Sequence, residues 1–180
     1  ALRLASRMGS QAGPLLLFSA AGPLDQPGAF DGMGGGAQVF RAAQRRGAML
    51  DLVVAGQAML GARAPGLLRR MLFAGAEASD AAFAGSAPGR ELLGRVLRQA
   101  FADGAAGYRR DLLTYVEDWS GELAGVVAPV RMWHGAGDNW APIGMARAVA
   151  DRCAASLSIG PKGHYTTLID GAAEALAELG

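Results

Sequence analysis

The chain contains two histidines, and each stands beside a turn that a parallel sheet can put to use. His134 opens the segment His134-Gly135-Ala136-Gly137-Asp138-Asn139-Trp140-Ala141-Pro142, and His164 closes Gly160-Pro161-Lys162-Gly163-His164. Both segments follow short apolar runs that read as strands. In an open parallel sheet, loops at the carboxyl ends of adjacent strands meet in one crevice, so Asp138 and His164 are expected to be neighbours. A carboxylate bonded to one imidazole nitrogen fixes the tautomer and stabilises the imidazolium formed when the other nitrogen takes a proton. Such a histidine is a general base toward a serine hydroxyl or a water. Asp138 and His164 are therefore the candidate catalytic residues.

Each also has a plainer reading. His164 can be an exposed turn histidine, and Asp138 a turn or helix-capping aspartate ahead of Pro142. His134 reads as structural, closing its strand with the ring hydrogen-bonded near the turn. A metal site built from His134, Asp138 and His164 matches no familiar ligand spacing, and neither metal nor cofactor is expected. Trp133 and Trp140 flank the acid turn and are expected to pack the sheet end or the long helical stretch between the first two strands. Cys153, the lone cysteine, falls on the apolar face of its helix, which favours an inert thiol. One cysteine forms no internal disulfide, which fits a reducing, cytoplasmic compartment.

The elements that must position these residues follow from periodicity. Residues 1–8 have helical spacing, and the apolar run Pro14 to Ser19 reads as a strand buried on both faces. A Gly- and Pro-rich loop, 20–37, follows. From about Gln38 to Trp119 the pattern is helical, with breaks at Pro65-Gly66, Pro88-Gly89 and Gly104 to Gly107. Its clearest stretch puts Leu93, Val96, Leu97, Ala100 and Phe101 on one face. Met49, Met59 and Met71 read as core, or as a flexible apolar surface. A second strand spans Val126 to Trp133, entered through Pro129, and a helix opens at Pro142 and buries Met145, Val149 and Cys153. A third strand, 156–159, precedes a last helix, 165–179, with Leu168, Ile169, Ala172, Leu176 and Leu179 inward. Strands separated by helices imply a parallel sheet in an α/β fold.

Composition excludes several classes. Over 180 residues, 51% hydrophobic and 18% charged composition is that of a chain with a core and not of a disordered one. A net charge of +1 without a block of like charges gives nucleic-acid binding little support. No apolar run is long enough to span a bilayer, and the charged start lacks the apolar stretch of a secretory signal.

Taken together, these segments resemble the C-terminal portion of the α/β-hydrolases. The strand ending in His-Gly-x-Gly-Asp-x-x-x-Pro, 134–142, is similar to their seventh strand and acid turn, and Gly160 to His164 to the turn after their eighth. The stretch Leu15 to Gly28 resembles their sixth strand and its exit. The helical stretch resembles their inserted cap, and Trp119 falls where bacterial members often carry a tryptophan. The resemblance implies a partial α/β-hydrolase fold with about three parallel strands. It divides the chain into 1–37 and 123–180 for the core and 38–122 for a helical cap. It also brings in Asp25 as a rival acid, because some members carry the carboxylate after the sixth strand.

One departure governs what the resemblance implies. The family's nucleophile sits in a Gly-x-Ser-x-Gly elbow between a strand and a helix, and no such motif occurs in this sequence. In Gly9-Ser10-Gln11-Ala12-Gly13 and Gly85-Ser86-Ala87-Pro88-Gly89 the serine stands one place too early. The elbow is expected upstream of Ala1, and part of the oxyanion hole with it. The implied function is the C-terminal part of a serine hydrolase for an ester, amide or related bond, inactive or nearly so alone. Its substrate is expected to be a small molecule of apolar character, without nucleic-acid or membrane partners. The alternative is a non-catalytic binding module whose first strand offers an open edge for self-association or a partner chain.

Overall fold

The computed structural model describes residues 1–179, and of residues 174 and 176–179 no side chain. By its internal contacts the chain divides into two compact units. One is formed by Ala1–Met33 with the chain from Asp118 onward, the other by Gly34–Glu117. In chain order, α1 (Leu2–Met8) and β1 (Leu15–Phe18) open the first unit. The second unit holds α2 (Gly36–Arg45), α3 (Ala48–Arg63), α4 (Pro65–Leu72), α5 (Ala78–Gly85), α6 (Ala87–Ala100) and α7 (Ala106–Tyr115). The first unit resumes with a short helical turn (Ser120–Gly125), β2 (Val130–Gly135), α8 (Ile143–Cys153), β3 (Ser156–Gly160) and α9 (His164–Leu179).

The first unit is an α/β arrangement of three parallel strands in the order β1-β2-β3. Period-two alternation sends Val130 and Met132 to one face of β2, where they join Leu17 and the α8 residues Ala146, Val149 and Cys153. Each large side chain of this cluster adds about 1.5–3 kcal/mol by leaving water. Trp133 points to the other face, stacked on Phe18 with ring centroids 4.9 Å apart. Gly171 of α9 lies against the Phe18 ring and the Trp133 Cβ, and a methyl group there would meet them at 2.9–3.2 Å. Helices thus cover both faces of β2, as a parallel strand requires.

Several expectations need correction. β2 begins at Val130 and not at Val126, because Pro129 offers no amide to a ladder and Val127 stands exposed. It runs on through His134 and Gly135, so His134 belongs to the strand itself. β1 is buried at Leu17 alone, its neighbours being only partly covered. Leu168 and Ile169 of α9 are exposed, whereas Leu176 and Leu179 lie outside the described side chains.

In the second unit Ala42, Ala43, Leu50, Val54 and Leu112 form a core of their own. Pro65 starts α4, and Ser86 caps α6 by accepting the Gly89 amide at 3.0 Å, so Pro88-Gly89 lies in a first helical turn. Of the expected α6 face, Leu93 and Phe101 are buried but Val96 is exposed. Met49, Met59 and Met71 are not core: they stand 63%, 52% and 58% exposed.

Candidate functional site

The carboxyl end of the sheet is assembled by backbone bonds between its two turns. Ala136 donates its amide to the Gly160 carbonyl at 2.8 Å, and Gly137 donates to Lys162 at 3.2 Å. Gly135 makes this approach practicable, since a methyl group there would collide with the carbonyl oxygens of Lys162 and Gly163. At the start of α9, Thr167 Oγ1 donates to the Gly163 carbonyl at 2.6 Å, and the Gly163 amide donates to Thr166 Oγ1 at 3.3 Å. His164 is thereby the first residue of a capped helix and faces the acid turn.

The two expected residues meet. His164 Nδ1 donates to Asp138 Oδ2 at 2.8 Å, with the carboxylate fully buried and the imidazole 26% exposed. The other carboxylate oxygen, Oδ1, accepts the amides of Trp140 at 2.8 Å and Ala141 at 2.9 Å. These bonds are the turn geometry expected of an aspartate ahead of Pro142, so the capping role and the partnership with His164 are filled by different oxygens. Because Asp138 accepts from Nδ1, the neutral imidazole of His164 carries its lone pair on Nε2. Trp140 lies nearly parallel to that ring at 6.0 Å, and Tyr165 meets it edge-on at 5.2 Å.

His134 is wholly buried one strand residue before the turn. Its Nε2 donates to the Ala141 carbonyl at 2.7 Å and stands 3.4 Å from Asp138 Oδ2. Its Nδ1 has no partner among the described residues. Burial pushes the His134 imidazole below its ordinary titration range, against the opposing pull of the Ala141 bond and of Asp138. The neutral Nε2–H form follows.

The other candidates separate from this pair. Asp25 sits well past the end of β1, where its Oδ2 accepts from Gln26 Nε2 at 2.6 Å and its Oδ1 is buried without a partner among the described residues. His134, Asp138 and His164 do not form a metal-holding group, and no group of three such residues does so among the described residues. Cys153 is buried with Sγ 3.7 Å from the Leu123 carbonyl, and burial raises its thiol above the ordinary range. Trp133 packs on Phe18 and under the Arg131 guanidinium, 5.1 Å from its ring centroid, while Trp140 packs on His164.

Ser19 is the residue that sequence reasoning passed over. It is buried at the exit of β1 with φ 48°, in the left-handed region that serine seldom adopts. Its amide donates to the Trp133 carbonyl at 2.9 Å, and its Oγ donates to the His164 carbonyl at 2.7 Å. The one signal available was a polar residue at the carboxyl end of an apolar strand.

No protein-family model matches the chain, and no curated protein matches it. Among the described residues, no helix is long and apolar enough to cross a membrane.

Proposed function

We propose that this chain is the C-terminal part of an α/β-fold serine hydrolase acting on an ester, amide or related bond. It contributes the acid Asp138 and the base His164 to a triad whose nucleophile lies outside these 180 residues. The observation that carries the reading is the 2.8 Å bond from His164 Nδ1 to a buried carboxylate, on turns leaving neighbouring parallel strands. In the reaction, Nε2 of His164 takes the proton of the serine hydroxyl as oxygen attacks the carbonyl, then returns it to the leaving group. Asp138 stays ionised and stabilises the transient imidazolium. A water activated by the same nitrogen releases the acyl group. The Trp140 and Tyr165 rings beside His164 favour a substrate of apolar character. Without nucleophile and oxyanion hole the chain alone is inactive or nearly so. The single, buried, free cysteine supports a reducing compartment such as the cytoplasm.

The test is ester hydrolysis by a product in which a Gly-x-Ser-x-Gly elbow precedes these residues. His164→Ala and Asp138→Asn should each lower kcat by about 10⁴-fold, the order found when a triad member is lost. Activity that survives both changes would sink the assignment.

A second reading, a non-catalytic binding module, is favoured by one observation. β1 stands at the end of the strand order, so its outer edge has no partner strand among the described residues.

A further inference from the structure

Asp138 faces a second imidazole besides that of His164. Oxygen Oδ2 lies 2.8 Å from His164 Nδ1 and 3.4 Å from His134 Nε2. His134 and Asp138 are also joined through one residue. Ala141 donates its amide to Asp138 Oδ1 at 2.9 Å, and its carbonyl accepts from His134 Nε2 at 2.7 Å. Imidazole, Ala141 backbone and carboxylate therefore form a closed ring of contacts inside the sheet end, with both side chains fully buried.

The two sides of this ring constrain Asp138 differently. A carboxylate has about four lone-pair positions. The Trp140 and Ala141 amides occupy those of Oδ1, and His164 occupies one on Oδ2. His134 Nε2 stands 3.4 Å from Oδ2, while its one proton is donated to the Ala141 carbonyl at 2.7 Å. We propose that His134 is a positioning residue for the Asp138–His164 pair: its Nε2–H fixes Ala141, whose amide holds Asp138 Oδ1, and so sets the direction in which Oδ2 meets His164 Nδ1.

The cost of His134 argues for this role. Its Nδ1 is buried without a partner among the described residues, a loss that an apolar side chain of similar volume would avoid. A site that needed only packing would be better filled by leucine or methionine, as the same face of β2 is by Val130 and Met132. Asp138 on its own turn and His164 on α9 both act on the His134 imidazole through their charge. The inference rests on the acid–base reading of Asp138 and His164, but its geometry can be read without any activity.

The experiment is nitrogen-15 NMR of the 180-residue chain labelled at histidine, in which two residues give four ring nitrogens. The wild type should show His134 as the neutral Nε2–H form and His164 as the Nδ1–H form, with a slowly exchanging Nδ1 proton. His134→Leu, which removes the donor, should turn His164 into a mixture of tautomers and lose the protected proton. His134→Gln, whose amide nitrogen reaches the Nε2 position, should restore both. A folded His134→Leu chain that keeps the His164 tautomer and its protected proton would overturn the proposal. So would a wild-type His134 found as the Nδ1–H form, which settles the matter even if the leucine variant fails to fold. A wild-type His164 without an Nδ1 proton would instead remove the pair itself, and the inference with it.

Discussion

Asp138 is committed on both oxygens: two backbone amides hold Oδ1, and two imidazoles face Oδ2. A carboxylate that accepts on both oxygens is placed to orient an imidazole. Burial keeps His134 neutral. In the unfolded chain it titrates near the ordinary 6.5, and in the folded chain lower. Below that pH the unfolded state binds a proton that the folded state refuses, so stability falls as pH drops through the window beneath 6.5. The urea midpoint should therefore decline from about pH 7 to about pH 5. His134→Gln, which removes the titration, should decline less, and equal slopes would contradict the assignment. The meeting of Asp138 and His164 was legible because each stands in a glycine-rich turn after a strand, and such turns of neighbouring parallel strands share one end of the sheet. Ser19 was not, because its bond to His164 joins residues 145 positions apart that nothing local connects.

The turns work as a pair because β2 ends in a residue without a side chain. Gly135→Ala should push the 160–163 turn away from β2, costing about 1–3 kcal/mol as an overpacked site does. It should also break the Asp138–His164 bond. Gly160→Ala is the matched control, since nothing lies within 4 Å of the added methyl. Urea denaturation and the His164 tautomer read the two effects, and a Gly135→Ala chain as stable as the control would contradict this account. The strands and the α8 helix were readable from their periodicity and their proline. The start of β2 was not, because Val126-Val127-Ala128 has strand composition while Pro129 breaks the ladder ahead of Val130. The helical stretch was hardest to orient: α3 is apolar almost all round, so its sequence offers no face to choose, and Met49 and Met59 lie outside.

Two compact units and a three-stranded sheet leave β1 with one unpaired edge among the described residues. The amides of Leu15 and Ser19 donate inward, to the Pro129 and Trp133 carbonyls. Strand alternation then turns those of Leu16 and Phe18 to the open edge. The purified chain should associate as its concentration rises, and Leu16→Pro should abolish this without unfolding it, because the lost amide served no ladder bond. Sedimentation velocity decides the matter: a wild type that stays monomeric over the concentration range would contradict the expectation. The parallel pairing of the strands was foreseeable from their alternation with helices. The open edge of the first strand was expected as well, and the strand order places it on β1.

The central claim is that these residues hold an acid and a base but no nucleophile. Labelling of the purified 180-residue chain with a fluorophosphonate, beside a His164→Ala control, tests it most directly. The account predicts that the folded chain takes up no label in either form. Labelling that disappears with His164→Ala would mean that a serine within these residues is activated by His164, with Ser19 the first to examine, and would contradict the account.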